Sequence, residues 1–284
     1  MKEEGHIMRA PVILTMLTAL LIPLKSPAAV PVYSAEYAGP GLYASLNSAG
    51  VVIGNQSVGP GQPWVNNGSG PQDLPLPDGV LGGRVSDIND DGRIVGTVYP
   101  DGQITSDLPV IWTPDGAGGY EVELLPLGGA LRGTGVALNN SGQILVSGYG
   151  FDGLPLTYRA YVIDRDEVIP LPLSNPITIN DEGIVLTEFT LFDYNNMTDL
   201  GLPAPPVGLD VIDMYPTDLN NENEVAFTLL TAIISHTRYQ AIGIYTIDGG
   251  WDMITGVVTN MSSGPMNDSG DLLVNGGSCG TMVY

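Results

Sequence analysis

A ten-residue segment with an asparagine at its third position recurs six times along this chain. It reads SLNSAGVVIG at Ser45–Gly54, DINDDGRIVG at Asp87–Gly96 and ALNNSGQILV at Ala137–Val146. It returns as TINDEGIVLT at Thr178–Thr187, DLNNENEVAF at Asp218–Phe227 and PMNDSGDLLV at Pro265–Val274. The asparagines Asn47, Asn89, Asn139, Asn180, Asn220 and Asn267 stand 42, 50, 41, 40 and 47 residues apart. A period of about 40 residues marks a repeated supersecondary unit that cannot bury its apolar face alone and must stack on its neighbours.

Each anchor has the form apolar–Asn–x–x–Gly–x–apolar–apolar. Asn and Asp tolerate left-handed backbone angles and Gly adopts them without steric cost, so the polar tetrad reads as a hairpin turn between two strands. Gly50, Gly92, Gly142, Gly183 and Gly270 share one place in the turn, and Asn223 holds it in the fifth unit. A third apolar segment follows the hairpin: QPWV (Gln62–Val65), PVIW (Pro109–Trp112), RAYV (Arg159–Val162) and AIGIYTI (Ala241–Ile247). A leucine-rich segment comes next, as QDLPLP, VELLPLGG, VIPLPLS or MTDLGLP. Four antiparallel strands in about 40 residues make the blade of a β-propeller. The fourth unit is the weakest, since FTLFDYNNMTDLGLP leaves little room for two separate strands.

The expected fold is therefore all-β: a six-bladed β-propeller closed by pairing of the N-terminal strand with the last blade. The sixth unit offers only three strands, the third at Thr281–Tyr284, and the strand-like stretch Val30–Tyr37 precedes the first anchor. Pairing them removes an exposed edge and ties the termini together. Upstream of that stretch, Lys2 and Arg9 precede the apolar run Ala10–Leu24, and Ser26-Pro27-Ala28-Ala29 follows. A basic start, a short apolar centre and small residues spell a secretory signal peptide at residues 1–29, leaving a single domain at 30–284. The run falls short of the ~20 residues that span a bilayer, so no membrane span is expected after cleavage.

Removing the leader takes three basic residues (Lys2, Arg9, Lys25) and two acidic ones (Glu3, Glu4) from the nine and 31 of the whole chain. Six arginines, no lysine and 29 acids remain. Such a surface repels phosphate backbones, which excludes nucleic acid as a partner; it favours solubility and attracts divalent cations. Cys279 is the only cysteine, so no disulfide forms within the chain and sheet packing must supply the stability.

The repeat units resemble those of the HAF family of extracellular repeat proteins. That family's unit runs A-x-x-I-N-x-x-G-x-V-V-G, then an A-F/Y-L/V-W strand and a D-L-G segment. INDDGRIVG with PVIW, and ALNNSGQILV with RAYV, match best. The resemblance covers essentially the whole chain after the leader. It departs at the family's His-Ala-Phe histidine, near whose place stand Arg159, Gln240 and Pro109. It implies a repeat fold and secretion, and no established reaction.

Candidate chemistry is sparse. Asp87-Ile88-Asn89-Asp90-Asp91-Gly92 matches the first half of a calcium loop, which makes Asp87, Asn89 and Asp91 the candidate metal ligands and calcium the one candidate cofactor. The acid that a full loop needs at its twelfth position is replaced by Val98, and the places of Asp87 in other units include Ala137, Thr178 and Pro265. His236 and Cys279 are the lone residues of their kind after the leader, too few for a supported nucleophilic dyad. Asn267-Asp268-Ser269-Gly270 is the turn of the sixth unit. Asp87, Asp210, Asp213 and Asp218 lie at or before anchor strands, where paired carboxylates could serve glycoside cleavage. Trp64, Trp112, Tyr161 and Tyr245 recur in the third strand and read as packing between blades, whereas Trp251 stands outside that set and reads as the better exposed candidate.

The expected function is that of an exported acidic propeller, monomeric, acting as a non-catalytic binding or structural module of the cell envelope or extracellular space. Its expected location is secreted, periplasmic or on the cell surface. A glycan or protein would dock on loops around the channel. The alternative is a carbohydrate-active hydrolase or lyase using paired carboxylates at the propeller funnel. No catalytic residue is assigned.

Overall fold

Strands that are apolar on both sides need a neighbour on each face, and the repeated hairpins of this chain obtain theirs from one another. The computed structural model describes residues 40, 42–56, 61–100, 106–151, 157–234, 237–247, 249–253, 258–259, 261–266, 272–276 and 280–283. These form six separate antiparallel sheets, each a meander. The first holds β1 (Leu42–Leu46), β2 (Val52–Asn55), β3 (Pro63–Asn66) and β4 (Gln72–Asp73). The second holds β5 (Gly82–Ile88), β6 (Ile94–Tyr99), β7 (Leu108–Pro114) and β8 (Tyr120–Leu124). β9 (Ala130–Leu138), β10 (Ile144–Phe151), β11 (Tyr158–Asp164) and β12 (Glu167–Pro170) make the third. The fourth is small: β13 (Pro176–Ile179), β14 (Ile184–Thr187), β15 (Leu191–Asp193) and β16 (Thr198–Asp199). The fifth has β17 (Asp213–Leu219), β18 (Glu224–Ile234), β19 (Thr237–Thr246) and β20 (Gly250–Met253), with β21 (Val258–Thr259) also paired to β19. β22 (Met261–Met266), β23 (Leu272–Gly276) and β24 (Gly280–Val283) form the sixth.

The arrangement is all-β and propeller-like, and the four segments of each of the first three units become the four strands of a blade. In the fourth unit two short strands, β15 and β16, do separate, and the fifth unit ends on β20, a strand without a leucine-rich segment. The blade count needs correcting: five blades have four strands, and the sixth sheet has three. The expected fourth strand of that sheet, Val30–Tyr37, lies outside the described residues, so the described residues form five complete blades rather than a closed ring of six.

The core is a series of interfaces between successive sheets, and residue alternation builds it. Val110 and Trp112 face sheet one, packing with Ile53, Val65 and Leu74, whereas Ile111 between them faces sheet three beside Tyr161 and Val146. Leu145 and Val185 meet between sheets three and four, and Leu186 meets Phe227 and Leu229 between four and five. Ala226 and Ile242 pack with Met266 of the sixth. In β6 every residue is buried, as a strand covered on both faces requires.

At the turn after the first strand of each of the five complete blades, the chain needs a left-handed residue. Gly92 supplies it with φ of 77° and Asn223 with φ of 60°. Elsewhere glycine is needed for room. A methyl group on Gly96 would collide with the Arg84 carbonyl oxygen and come within 2.9 Å of Val85 Cα, and one on Gly135 would lie 2.6 Å from the Gly96 carbonyl oxygen. Sheets two and three thus touch backbone to backbone. Gly96→Ala is expected to cost about 2 kcal/mol, because neither contacting group is a side chain that can swing away. Urea unfolding of the purified variant checks this; a midpoint equal to the parent's would refute the close approach.

Candidate functional site

One irregularity repeats in the first strand of each of the five complete blades. Pairing skips one residue between Tyr43 and Ser45, Val85 and Asp87, Gly135 and Ala137, Pro176 and Thr178, and Pro216 and Asp218. Each skipped residue is a β-bulge three positions before the anchor asparagine, and a bulge bends the strand and re-aims the side chains beside it. The bulged residue and its successor from all five strands line one cavity of about 360 Å³: Ala44 and Ser45, Ser86 and Asp87, Val136 and Ala137, Ile177 and Thr178, Thr217 and Asp218. The first strands therefore converge on a common axial space, lined by aliphatic groups, hydroxyls and two carboxylates.

Both carboxylates are tied to neighbouring blades. Asp87 Oδ1 accepts hydrogen bonds from Ser45 Oγ of sheet one (2.9 Å) and from the adjacent Ile88 N–H (2.9 Å), and Oδ2 accepts from Leu138 N–H of sheet three (3.1 Å). Asp218 repeats the scheme, accepting from Leu219 N–H (2.9 Å) and from Met266 N–H of the sixth sheet (2.7 Å). Ser86 Oγ adds a bond to the Gly135 carbonyl oxygen (2.8 Å). These are bridges across blade interfaces.

Burial pushes the Asp87 carboxyl above the usual carboxylate range, outweighing the donors from Leu138, Ser45 and Ile88, each of which favours the ionised form. A carboxyl raised on folding contributes most below its unfolded value, near 4, and loses that contribution as pH rises through the folded value. The stability of the parent relative to Asp87→Asn should therefore fall as pH rises above about 4. Paired urea titrations at several pH values test it; a difference that is flat or grows with pH would contradict the assignment.

The three calcium-loop candidates occupy different settings. Asp87 lines the axial cavity. Asn89 is 4% exposed and is used at both ends: its Oδ1 accepts from Arg93 N–H (3.0 Å) and its Nδ2 donates to the Asn139 carbonyl oxygen (3.2 Å). Asp91 is exposed on the turn. Among the described residues no group of three or more His, Cys, Asp or Glu side chains is placed to hold a metal ion.

Asn89 belongs to a ladder that runs around the axis. Asn47, Asn139 and Asn180 likewise donate to the carbonyl oxygen of the next anchor asparagine (3.1, 2.8 and 3.2 Å), and each anchor Oδ1 accepts the N–H four residues on. A second rung lies outside it. Asp90, Asn140, Asp181 and Asn221 each accept, through a side-chain oxygen, the N–H of the equivalent residue one blade earlier. Sequence reasoning assigned these residues to turn chemistry and missed their second task of linking blades. The signal was the persistence of Asn while its neighbours varied.

The recurrent aromatics also join blades. Trp64 Nε1 donates to the Pro40 carbonyl oxygen (2.8 Å), Trp112 Nε1 to Pro75 (2.6 Å) and Tyr161 Oη to Pro126 (2.9 Å), in each case on the segment leading into that blade. The reading of Trp251 as an exposed binding residue is overturned. It is half-buried, packs at tilted angles on Phe227 and Tyr245 with centroids 5.1 and 5.5 Å apart, and donates to the Ala204 carbonyl oxygen (2.8 Å). Trp251 thus performs in blade five, from the fourth strand, what the third-strand aromatic does in blades one to three. Asp210 and Asp213 are exposed at the far end of β17 from Asp218. His236, Cys279 and Asn267–Gly270 lie outside the described residues.

The chain matches no protein-family model, and no curated protein is significantly similar to it.

Proposed function

We propose that this chain is an exported, HAF-like propeller that serves as a non-catalytic binding or structural module of the cell envelope or extracellular space. The observation that carries this reading is the commitment of the axial carboxylates: Asp87 and Asp218 use their oxygens on fixed N–H and hydroxyl donors from adjoining blades. Carboxyl groups held this way brace a frame, and a rigid frame with variable loops suits docking. The charge excess, −22 over the whole chain, and the signal-like leader support a soluble exported monomer.

The direct test is capture. The mature protein, immobilised, is challenged with soluble glycans and with solubilised envelope proteins, and retention of a component above an inert-protein control is the expected result. Retention of nothing from either set would end the binding reading. The alternative, a carbohydrate-active hydrolase or lyase, is favoured by one observation: both acids line the same cavity. Glycan cleavage by the parent that is lost in both Asp87→Asn and Asp218→Asn would establish it in place of the first.

A further inference from the structure

The fourth blade is much shorter than the blades on either side of it. β14 has four residues, against eight in β10 and 11 in β18. β14 ends at Thr187, seven residues after its anchor asparagine, whereas β10 continues past Tyr149, ten residues after its own. At about 3.3 Å per residue, Tyr149 stands ~10 Å beyond the point where the blade-four strand stops. The upper part of the blade-three face turned toward blade four is thus left as a step.

The step carries a row of three side chains. Arg132 pairs with Tyr149 and Tyr149 with Tyr158 in adjacent strands. Leu145 and Ala160, on the same strands and the same pleat, pack in the cluster shared with blade four, so alternation directs Tyr149 and Tyr158 to that side. The Arg132 guanidinium lies over the Tyr149 ring, 4.5 Å from its centroid, and the two tyrosine rings are 4.8 Å apart. Tyr158 is 50% exposed. At the top of blade four stand Phe189, 67% exposed, and the pair Asn175 and Glu188, whose side chains are hydrogen-bonded at 3.0 Å.

We infer that this step is a binding site for a neutral glycan. The inference rests on the binding-module reading above and gives it a ligand class. The two tyrosine rings are inclined at 50° to one another, and the half-exposed Tyr158 presents an amphipathic ring face, which suits the apolar face of a sugar ring. The guanidinium over the Tyr149 ring supplies donors for hydroxyl groups, and Asn175 and Glu188, at the end of blade four, carry both donors and acceptors. The charge excess disfavours a polyanion. Arg132 disfavours a cationic ligand at the same spot.

Affinity electrophoresis of the mature protein in gels containing glucan, arabinoxylan or galactomannan, with polygalacturonate as the charged comparison, tests the inference. The parent should be retarded by at least one neutral polymer. Tyr158→Ala should weaken that binding about tenfold, Arg132→Ala several-fold, and Tyr158→Phe should retain it. Melting temperatures of the variants confirm that they are folded. Retardation unchanged in Tyr158→Ala would overturn the step while leaving the binding module intact. Retardation by polygalacturonate alone would overturn the neutral class. Failure with all neutral polymers, accompanied by retention of an envelope protein, would overturn the glycan and leave the module.

Discussion

Trp112→Ala should destabilise the protein by about 3–5 kcal/mol, the range for truncating a fully buried large aromatic side chain. The ring is 0% exposed and fills the interface of the first two sheets among Ile53, Val65, Leu74 and Ile94. Its Nε1 donates to Pro75 on the segment that carries the chain from one blade to the next. Alanine would therefore leave a void and also strip the partner from that carbonyl. At about 2–4 °C per kcal/mol for a domain of this size, the melting temperature should drop by roughly 6–20 °C. Trp112→Phe keeps most of the ring and loses the donor, so its loss should be about 1–2 kcal/mol, within the range for a lost hydrogen bond and a small void. Trp251→Ala should fall below Trp112→Ala because that ring is only half-buried. Calorimetry on the three variants gives the ranking, and a Trp112→Ala protein within about 1 kcal/mol of the parent would show that the interface repacks.

Much of this architecture was legible because its local chemistry repeats. Tight polar turns between apolar runs announced the hairpins, and the aromatic third strand and leucine-rich fourth strand followed at steady intervals. Even the cramped fourth unit was visible, and it became strands of three and two residues, β15 and β16. The axial site was harder to read for a physical reason. Its bulged residues, Ala44, Ser86, Val136, Ile177 and Thr217, share no chemistry, since a bulge is a property of pairing rather than of side-chain type. The blade-to-blade bonds of the asparagine ladder and of the axial acids join residues 40 to 51 positions apart, such as Asn180 to Asn220 and Asp87 to Leu138. Their existence depends on how the sheets stack. Trp251 misled because it sits one strand away from the aromatic position of the other units, yet its pairing with Tyr245 brings it to the same interface. The step on blade three arises from a difference in strand length between neighbours, which no motif records.

Asn180→Ala should be the most informative change in the ladder. The side chain is 2% exposed. Its Oδ1 accepts from Ile184 N–H (2.9 Å), and its Nδ2 donates to the Asn220 carbonyl oxygen (3.2 Å) and to Asn223 Oδ1 (2.9 Å). Alanine leaves Ile184 N–H without that partner, at about 1–3 kcal/mol, and takes from the Asn220 carbonyl one of its two donors, the other being Asn223 N–H (3.3 Å), at about 1 kcal/mol, so a loss of about 2–4 kcal/mol is expected. If the asparagine served only the turn, the share from Asn220 would be absent and only the Ile184 bond, which stays within the turn, would be lost. Asn180→Asp separates the two halves of the side chain's work. It keeps the acceptor for Ile184 but turns a carboxylate toward two oxygens. The charged form is disfavoured there by burial and by the facing acceptors, so the carboxyl is raised on folding and its contribution is lost as pH increases. The Asp variant should accordingly gain stability relative to Asn180→Ala as pH is lowered from 7 to 5, when the protonated oxygen can again donate. Parallel urea titrations of the two variants decide the point: a constant gap across that range would mean that donation to the next blade contributes nothing, and the ladder would reduce to turn chemistry repeated around an axis.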